Sequence, residues 1–351
     1  MAGGGSGGHV IPSLAVAREL RLRGHECVFI GTRNGFEARL APGAGFPIEY
    51  IEIGGLKRVG MGQTLRTMLQ LPTGIFRARR LLRRLAASAI FSMGGYAAGP
   101  VVLAGWWIRV PIIIMEPNAI PGFTNRKMAR VVWRALLNFR EAARFFPPGR
   151  SEVTGLPVRA EFFNLPVKTR TECVTVLITG GSQGSRTLNN AARESWRYFR
   201  ESGFPIQFIH QTGRNMHEEL SREFASAGVA GEVVPFIEDM PAAFARADIV
   251  VCRSGAGAMA ELAAAGKPSI LVPLPTAADN HQLHNAQAFE RAGAARVVLD
   301  REMDGKRLYE GVRSLSADAD TLDRMSRRAR EFAHPGAATR AADLMEEAAR
   351  G

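Results

Sequence analysis

The sequence predicts an α/β protein built from two doubly wound parallel sheets. Short apolar runs alternate with helical segments along all 351 residues. Each half opens with a glycine-rich turn of the kind that follows a first strand, at residues 3–9 and again at 180–185. Residues 249–286 spell out one complete strand, turn, helix and strand. The length allows two or three domains, each large enough for its own core.

The stretch 249–286 organises the rest. Ile249-Val250-Val251 reads as a buried strand, and Arg253-Ser254-Gly255-Ala256-Gly257 as a turn. Residues 258–265 form an Ala-rich helix that Gly266 can end, Pro268 bars its continuation, and 269–274 is the next buried strand. Such a turn lays backbone N–H groups at a helix start, which suits a phosphate. Glu261, the only acid between residues 249 and 276, stands one turn further in, where it suits ribose hydroxyls. An ordinary N-terminal turn of a buried helix explains the same pattern. Asp279-Asn280-His281-Gln282 adds polar groups beyond the second strand, where open α/β sheets bind ligands.

Composition narrows the class. No apolar run is long enough to span a bilayer, since Arg109 and Pro111 break the longest candidates. No signal-peptide pattern opens the sequence, and Cys27, Cys173 and Cys252 lack metal-ligand spacing, which points to core cysteines in a reducing cytoplasm. The net charge of +12 is uneven. Residues 1–158 hold 21 Lys+Arg against 8 Asp+Glu, whereas 159–351 hold 24 against 25. A basic field confined to one half implies an anionic surface or substrate for that half.

In chain order, the first glycine turn precedes a predicted helix at 12–23 and a strand at 27–30. Gly31-Thr32-Arg33-Asn34 ends that strand without an acid, which disfavours a nicotinamide dinucleotide. Only Met1 and Ala2 stand before the turn, so the central first strand is expected to be absent and the true start upstream. Residues 64–71 and 74–85 are predicted as two helices. The second carries Arg77, Arg79, Arg80, Arg83 and Arg84 among apolar residues, and no acid occurs from 56 to 84. This is either a core-facing helix with a solvated basic face or a membrane-contacting one.

A strand at 89–93 ends in Gly94-Gly95-Tyr96, and Trp106-Trp107-Ile108-Arg109 closes the next helix. The strand 112–115 leads to Glu116-Pro117-Asn118, and the alternation continues through 131–137. The second half offers strands at 174–179 and 206–210 and a helix at 240–245. After Asp300 the chain is helical, with one break at His334-Pro335-Gly336 before a last helix at 337–349. The expected division is a first domain at 1–160, a linker at 161–172, a second domain at 173–334, and a C-terminal helix at 335–351 packing back on the first domain. A ligand is expected between the halves, an arrangement that fits a two-substrate transferase.

Six separated motifs occur in one order: Gly4-Gly5-Ser6-Gly7-Gly8-His9, Gly94-Gly95-Tyr96, Glu116-Pro117-Asn118, Gly155-Leu156-Pro157-Val158-Arg159, Gly180-Gly181-Ser182-Gln183-Gly184 and Arg253-Ser254-Gly255-Ala256. In this the whole chain resembles the MurG family of peptidoglycan glycosyltransferases. The resemblance implies the GT-B fold and inverting transfer of N-acetylglucosamine from UDP-GlcNAc to lipid I, giving lipid II. It also implies a peripheral protein on the cytoplasmic face of the inner membrane, serving cell-wall synthesis, cell shape and division. Its partners would be UDP-GlcNAc, lipid I and an anionic membrane surface, with no nucleic acid.

By the same resemblance Ser182 binds the UDP phosphates, Glu261 the ribose hydroxyls, and Gln282 with His281 the sugar or its phosphates. Asn118 and Arg159 face the nucleotide sugar, and Ser6, Gly7 and Gly8 lie within the donor's reach. Gly7, Gly8 and His9 receive the acceptor, with Gly94, Gly95 and Tyr96 forming its diphosphate loop. The sequence departs from the family where His-Glu-Gln-Asn is written Met115-Glu116-Pro117-Asn118, and where the usual Pro-Asp before Gly94 is missing.

An acceptor hydroxyl must lose a proton as it attacks, so a group titrating near neutrality is wanted, and His9 is the candidate base. A helix-capping or structural histidine is the other reading of that residue. The one Asp-x-Asp, at 318–320, falls in the helical tail, so neither metal nor cofactor is expected. The competing readings are a UDP-GlcNAc 2-epimerase and a basic nucleic-acid or lipid-binding module, with a processive glycolipid transferase, which only an acceptor assay separates, nearer than either. The first gives no reason for an acid-free basic surface, and the second none for two glycine turns.

Overall fold

The computed structural model describes residues 1–3, 7–52, 61–95, 97–169 and 171–351, with backbone alone at 61–70. They form two compact units, Met1–Val158 with His334–Gly351, and Arg159–Ala333.

The first unit runs β1 (Ala2–Gly3), α1 (Gly7–Leu22), β2 (Phe29–Gly31), α2 (Glu37–Gly43), β3 (Ile48–Tyr50), α3 (Met61–Arg84), β4 (Ile90–Gly94), α4 (Ala98–Trp107), β5 (Ile112–Glu116), α5 (Phe123–Met128), β6 (Arg134–Leu137) and β7 (Ser151–Val153). Its parallel sheet has the order β3-β2-β1-β4-β5-β6-β7. Strands β4 and β5 are buried at every position, as near-continuous apolar strands covered on both faces should be.

The central place expected to be empty is held by two residues. Ala2 pairs with Ile30 on one side and Ser92 on the other, and Gly3 pairs with Gly94. Two helices also differ from expectation. Helix α1 starts at Gly7 and takes Pro12 inside it. A proline this near a helix start removes only one early backbone bond. The break expected between residues 71 and 74 does not occur, and α3 is continuous through Pro72. Proline inside a helix costs about 3 kcal/mol. Burial of Ala78, Leu81 and Leu82 in the core beside α4 offsets that cost, at about 2 kcal/mol for a leucine.

The second unit runs β8 (Val174–Thr179), α6 (Arg186–Ser202), β9 (Ile206–Gln211), α7 (Arg214–Ser226), β10 (Ala230–Val234), α8 (Met240–Arg246), β11 (Ile249–Cys252), α9 (Ala256–Ala265), β12 (Ser269–Leu271), α10 (His281–Arg291), β13 (Ala295–Val297), α11 (Gly305–Ser316) and α12 (Ala319–Arg330). The sheet order is β10-β9-β8-β11-β12-β13, all parallel. Gly266 ends α9 in the left-handed conformation (φ 60°), the cap its position predicts.

The tail holds a second break besides the one at 334–336. Asp318 caps α12, its carboxylate accepting the N–H of Asp320 at 3.0 Å. Residues 160–164, expected to hold the end of the first domain and the head of a linker from 161, form a one-turn 3-10 helix within the second unit. Phe162 anchors that turn, packed edge-on to Phe244 of α8 with ring centres 5.1 Å apart.

The last helix, α13 (Ala337–Arg350), belongs to the first unit. Ala341, Ala342, Leu344, Met345 and Ala348 are buried along one face of it. Arg340 forks onto Glu152 at 2.6 and 2.9 Å, and Arg23 at the end of α1 donates to Asp343 at 2.7 Å.

Candidate active site

In the second unit the candidate residues gather at the C-terminal ends of β8, β11 and β12. The glycine turn after β8 carries Ser182, exposed, and leads into α6. Ser185 caps that helix, its Oγ accepting the Leu188 N–H at 3.3 Å. Arg253, directly after β11, donates to the same Ser185 Oγ at 2.7 Å and to the carbonyl of Val272 at 3.1 Å, and pairs with Asp300. One guanidinium thus ties the exits of β8, β11 and β12 together. Gly255 stands at the N-cap of α9 and gives its first turn no side-chain cap.

Glu261 lies on α9, partly exposed. Desolvation pushes its carboxyl up to about 7, and the positive charge of Arg159 pulls the other way. Arg159 is held there by the turn that Phe162 anchors, its guanidinium 5.2 Å from the Phe162 ring. Gln282 begins α10. Its Oε1 accepts the Leu274 N–H at 3.0 Å, and its carbonyl accepts the Ser254 hydroxyl at 2.8 Å. His281 accompanies it, Nδ1 lying 2.7 Å from the Ala278 carbonyl. Just before it Asp279 and Asn280 are both left-handed (φ 51° and 53°), a strained pair of the kind found where a loop serves a ligand.

In the first unit the other candidates gather at the ends of β1, β4 and β5. Gly7, Gly8 and His9 form the first turn of α1, where the His9 carbonyl accepts the Ser13 hydroxyl at 3.0 Å. Gly94 and Gly95 leave β4 at φ 79° and 83°. A Cβ on Gly94 would stand 2.6 Å from Asn125 Oδ1, so no larger residue fits against that side chain. Ser6 and Tyr96 lie outside the described residues.

Sequence reasoning assigned no role to Glu116, yet it organises this group. It is 1% exposed at the end of β5. Oε1 accepts from Asn118 N at 2.9 Å and from Asn118 Nδ2 at 3.2 Å, and Oε2 from Gly122 N at 3.1 Å and Asn125 Nδ2 at 2.9 Å. Asn118 is therefore held in place by the acid two residues before it, with Pro117 between them. Burial pushes the Glu116 carboxyl up to about 7, and the four donors oppose that push. The available signal was a lone acid ending a wholly apolar strand.

Elsewhere on the first unit Phe76, Trp106 and Trp107 are exposed, Trp106 by 57%. Phe76 meets Trp107 edge-on at 5.4 Å, and Arg79 stacks 4.5 Å over Trp107. Trp106, Trp107, Arg109, Trp133 and Arg150 help line an open groove of about 660 Å³ beside them. Of Arg77, Arg79, Arg80, Arg83 and Arg84 on α3, two have acidic partners among the described residues, Arg77 with Glu52 and Arg84 with Glu49. Among the described residues no helix is long and apolar enough to cross a membrane.

Residues 1–137 match the N-terminal domain of glycosyltransferase family 28, and residues 175–347 match its C-terminal domain. Over 350 residues the chain is 61% identical to the UDP-N-acetylglucosamine--N-acetylmuramyl-(pentapeptide) pyrophosphoryl-undecaprenol N-acetylglucosamine transferase of Solibacter usitatus (strain Ellin6076), covering 100% of this chain and 96% of that one. The protein of the same name from Myxococcus xanthus (strain DK1622) is 39% identical over 348 residues, covering 98% and 91%. The crystal structure of Acinetobacter baumannii MurG matches with a TM-score of 0.84 at 31% identity, covering 98% of both chains. The fold class is that of the GT-B glycosyltransferases, and the chain belongs to the MurG family, within glycosyltransferase family 28.

Proposed function

We infer that this glycosyltransferase moves N-acetylglucosamine from UDP-GlcNAc to the muramoyl C4 hydroxyl of lipid I, with inversion at the anomeric carbon, and so forms lipid II. The observation that carries the donor half is the grouping of Glu261, Arg159, Ser182 and Gln282 about the ends of one sheet. Glu261 accepts the ribose hydroxyls. The amides of the Ser182 turn and of the α9 start bind the diphosphate, and they stabilise the charge that grows on UDP as it leaves. Gln282, with His281 beside it, orients the sugar.

Asn118 faces the nucleotide sugar, and His9 takes the proton of the attacking hydroxyl, with the loop at Gly94 and Gly95 around the acceptor diphosphate. UDP release measured with and without a lipid I analogue tests the reading. Release that depends on the analogue is expected; release without it would favour hydrolysis or epimerisation.

The exposed Phe76, Trp106 and Trp107, set among Arg79, Arg80 and Arg83, support a peripheral association with the anionic cytoplasmic face of the inner membrane. Aromatic rings enter the interface while arginines meet lipid phosphates, which brings the protein to an acceptor that is itself a lipid.

A further inference from the structure

Three segments converge at the C-terminal ends of β8, β9 and β10. They are the glycine turn at 180–184, residues 211–213, and the stretch 234–237. Gln211 closes β9 and is 1% exposed, and its amide joins all three. Nε2 donates to the Gly181 carbonyl at 2.8 Å and to Thr179 Oγ1 at 3.1 Å, while Oε1 accepts the Ile237 N–H at 2.8 Å. Thr179 Oγ1 in turn accepts the Gly181 N–H at 3.2 Å.

Contact around this amide is too close for side chains. A Cβ on Gly184 would lie 1.8 Å from the Thr212 carbonyl oxygen, and one on Gly213 would lie 2.3 Å from that of Gln183. Asn189 of α6 donates to the Thr212 carbonyl at 2.9 Å and holds the layer from beneath. Beyond Ile237's neighbour the surface opens, with Phe236 46% exposed.

We propose that Gln211 is a positioning residue for the nucleotide of the donor. It holds the phosphate-facing turn at 180–184 and the segment Phe236–Ile237 at one fixed separation. The inference rests on the reading of the second unit as the donor half. A buried amide suits this role because it donates and accepts at once, whereas a carboxylate or an aliphatic chain can do only part of it. A buried glutamine that merely satisfies its own hydrogen bonds would affect stability alone.

Two variants separate these cases. Gln211→Met keeps the volume and removes every bond, while Gln211→Glu keeps an acceptor for Ile237 but sets an oxygen against the Gly181 carbonyl. Each is to be compared with the full-length chain for UDP affinity by calorimetry, KM for UDP-GlcNAc, KM for a lipid I analogue, kcat and Tm. Both variants are expected to raise the UDP Kd and the donor KM by about tenfold or more, because a rigid pair of walls becomes a loose one. At saturating donor, kcat should stay within about threefold and the acceptor KM should not move.

If wild type binds UDP and both variants match it while Tm alone falls, Gln211 is a structural amide and the proposal is overturned. A fall in kcat with the donor KM intact overturns it as well. A wild-type chain that binds no UDP would instead defeat the donor reading, and the proposal with it. Should Gln211→Met fail to fold, Gln211→Glu carries the comparison, since it retains the bond to Ile237.

Discussion

On the proposed donor reading, one desolvated carboxyl, Glu261, sets the pH dependence of donor binding. Its pKa is pushed up to about 7, so in the folded chain the neutral form prevails below that value and the ionised form above it. UDP-GlcNAc is a diphosphate diester whose own charge is constant through this range. Its affinity should therefore rise by up to about tenfold from about pH 6 to about pH 8 as Glu261 becomes a charged acceptor. Calorimetry at the two pH values checks this, and Glu261→Gln should show a flat profile. Glu261→Ala should weaken binding by about 1–3 kcal/mol.

The same shift acts on folding with the opposite sense. The unfolded carboxyl titrates at its ordinary 4.5, so the folded chain holds the proton more tightly and loses stability as pH climbs from there to about 7. Glu116 contributes in the same direction in the other unit. At His9 the expectation is a turnover about 10²–10⁴-fold lower in His9→Ala, with UDP-GlcNAc affinity nearly intact. A collapse of donor affinity in that variant would make the histidine structural. Glu261 could be singled out because it stands in a local pattern of turn, helix start and strand end, while Ser182 and Gln282 took their roles from the family resemblance. Gln211 and Arg253 could not, because their partners lie 19 to 68 residues away and come into reach only through strand pairing.

At the scale of elements, periodicity and capping decided what could be read. Helix α9 and its left-handed Gly266 were legible because Gly266 and Pro268 mark one helix end twice. Helix α3 was read as two because Pro72 and Gly74 are breakers on local grounds, while the burial that overrides them is tertiary. The three-residue β3, none of it fully buried, shows no apolar run to detect.

The exposed side of α3 carries the membrane prediction. Arg77 and Arg84 already have acidic partners, so Arg79, Arg80 and Arg83 are the better test. Each should add up to about 1 kcal/mol of attraction to anionic lipid. The triple change to Gln should release the protein from acidic vesicles at modest salt in a flotation assay. Binding indifferent to both salt and lipid charge would remove the membrane reading of this face.

For the whole molecule, the attachment of α13 to the first unit sets up a contest between charge and packing. The Arg340–Glu152 fork is largely exposed, so Arg340→Ala should cost at most about 1 kcal/mol. Leu344 is buried, and Leu344→Ala should cost about 2–5 kcal/mol through the cavity it leaves. Thermal unfolding of the two variants gives the ranking, and equal losses would mean that the ion pair, not the apolar face, secures the helix.

That attachment also bears on the order in which the protein is made. A ribosome releases Met1–Val158 long before it reaches α13, with the whole of Arg159–Ala333 to be synthesised in between. Until α13 emerges, the strands of the first unit's sheet are all made while the surface that buries Leu344 and Met345 stays open to water. The part of the chain born first is thus finished only when α13 arrives, and a nascent chain stalled before it would display that uncovered apolar surface to whatever chaperone waits at the tunnel exit.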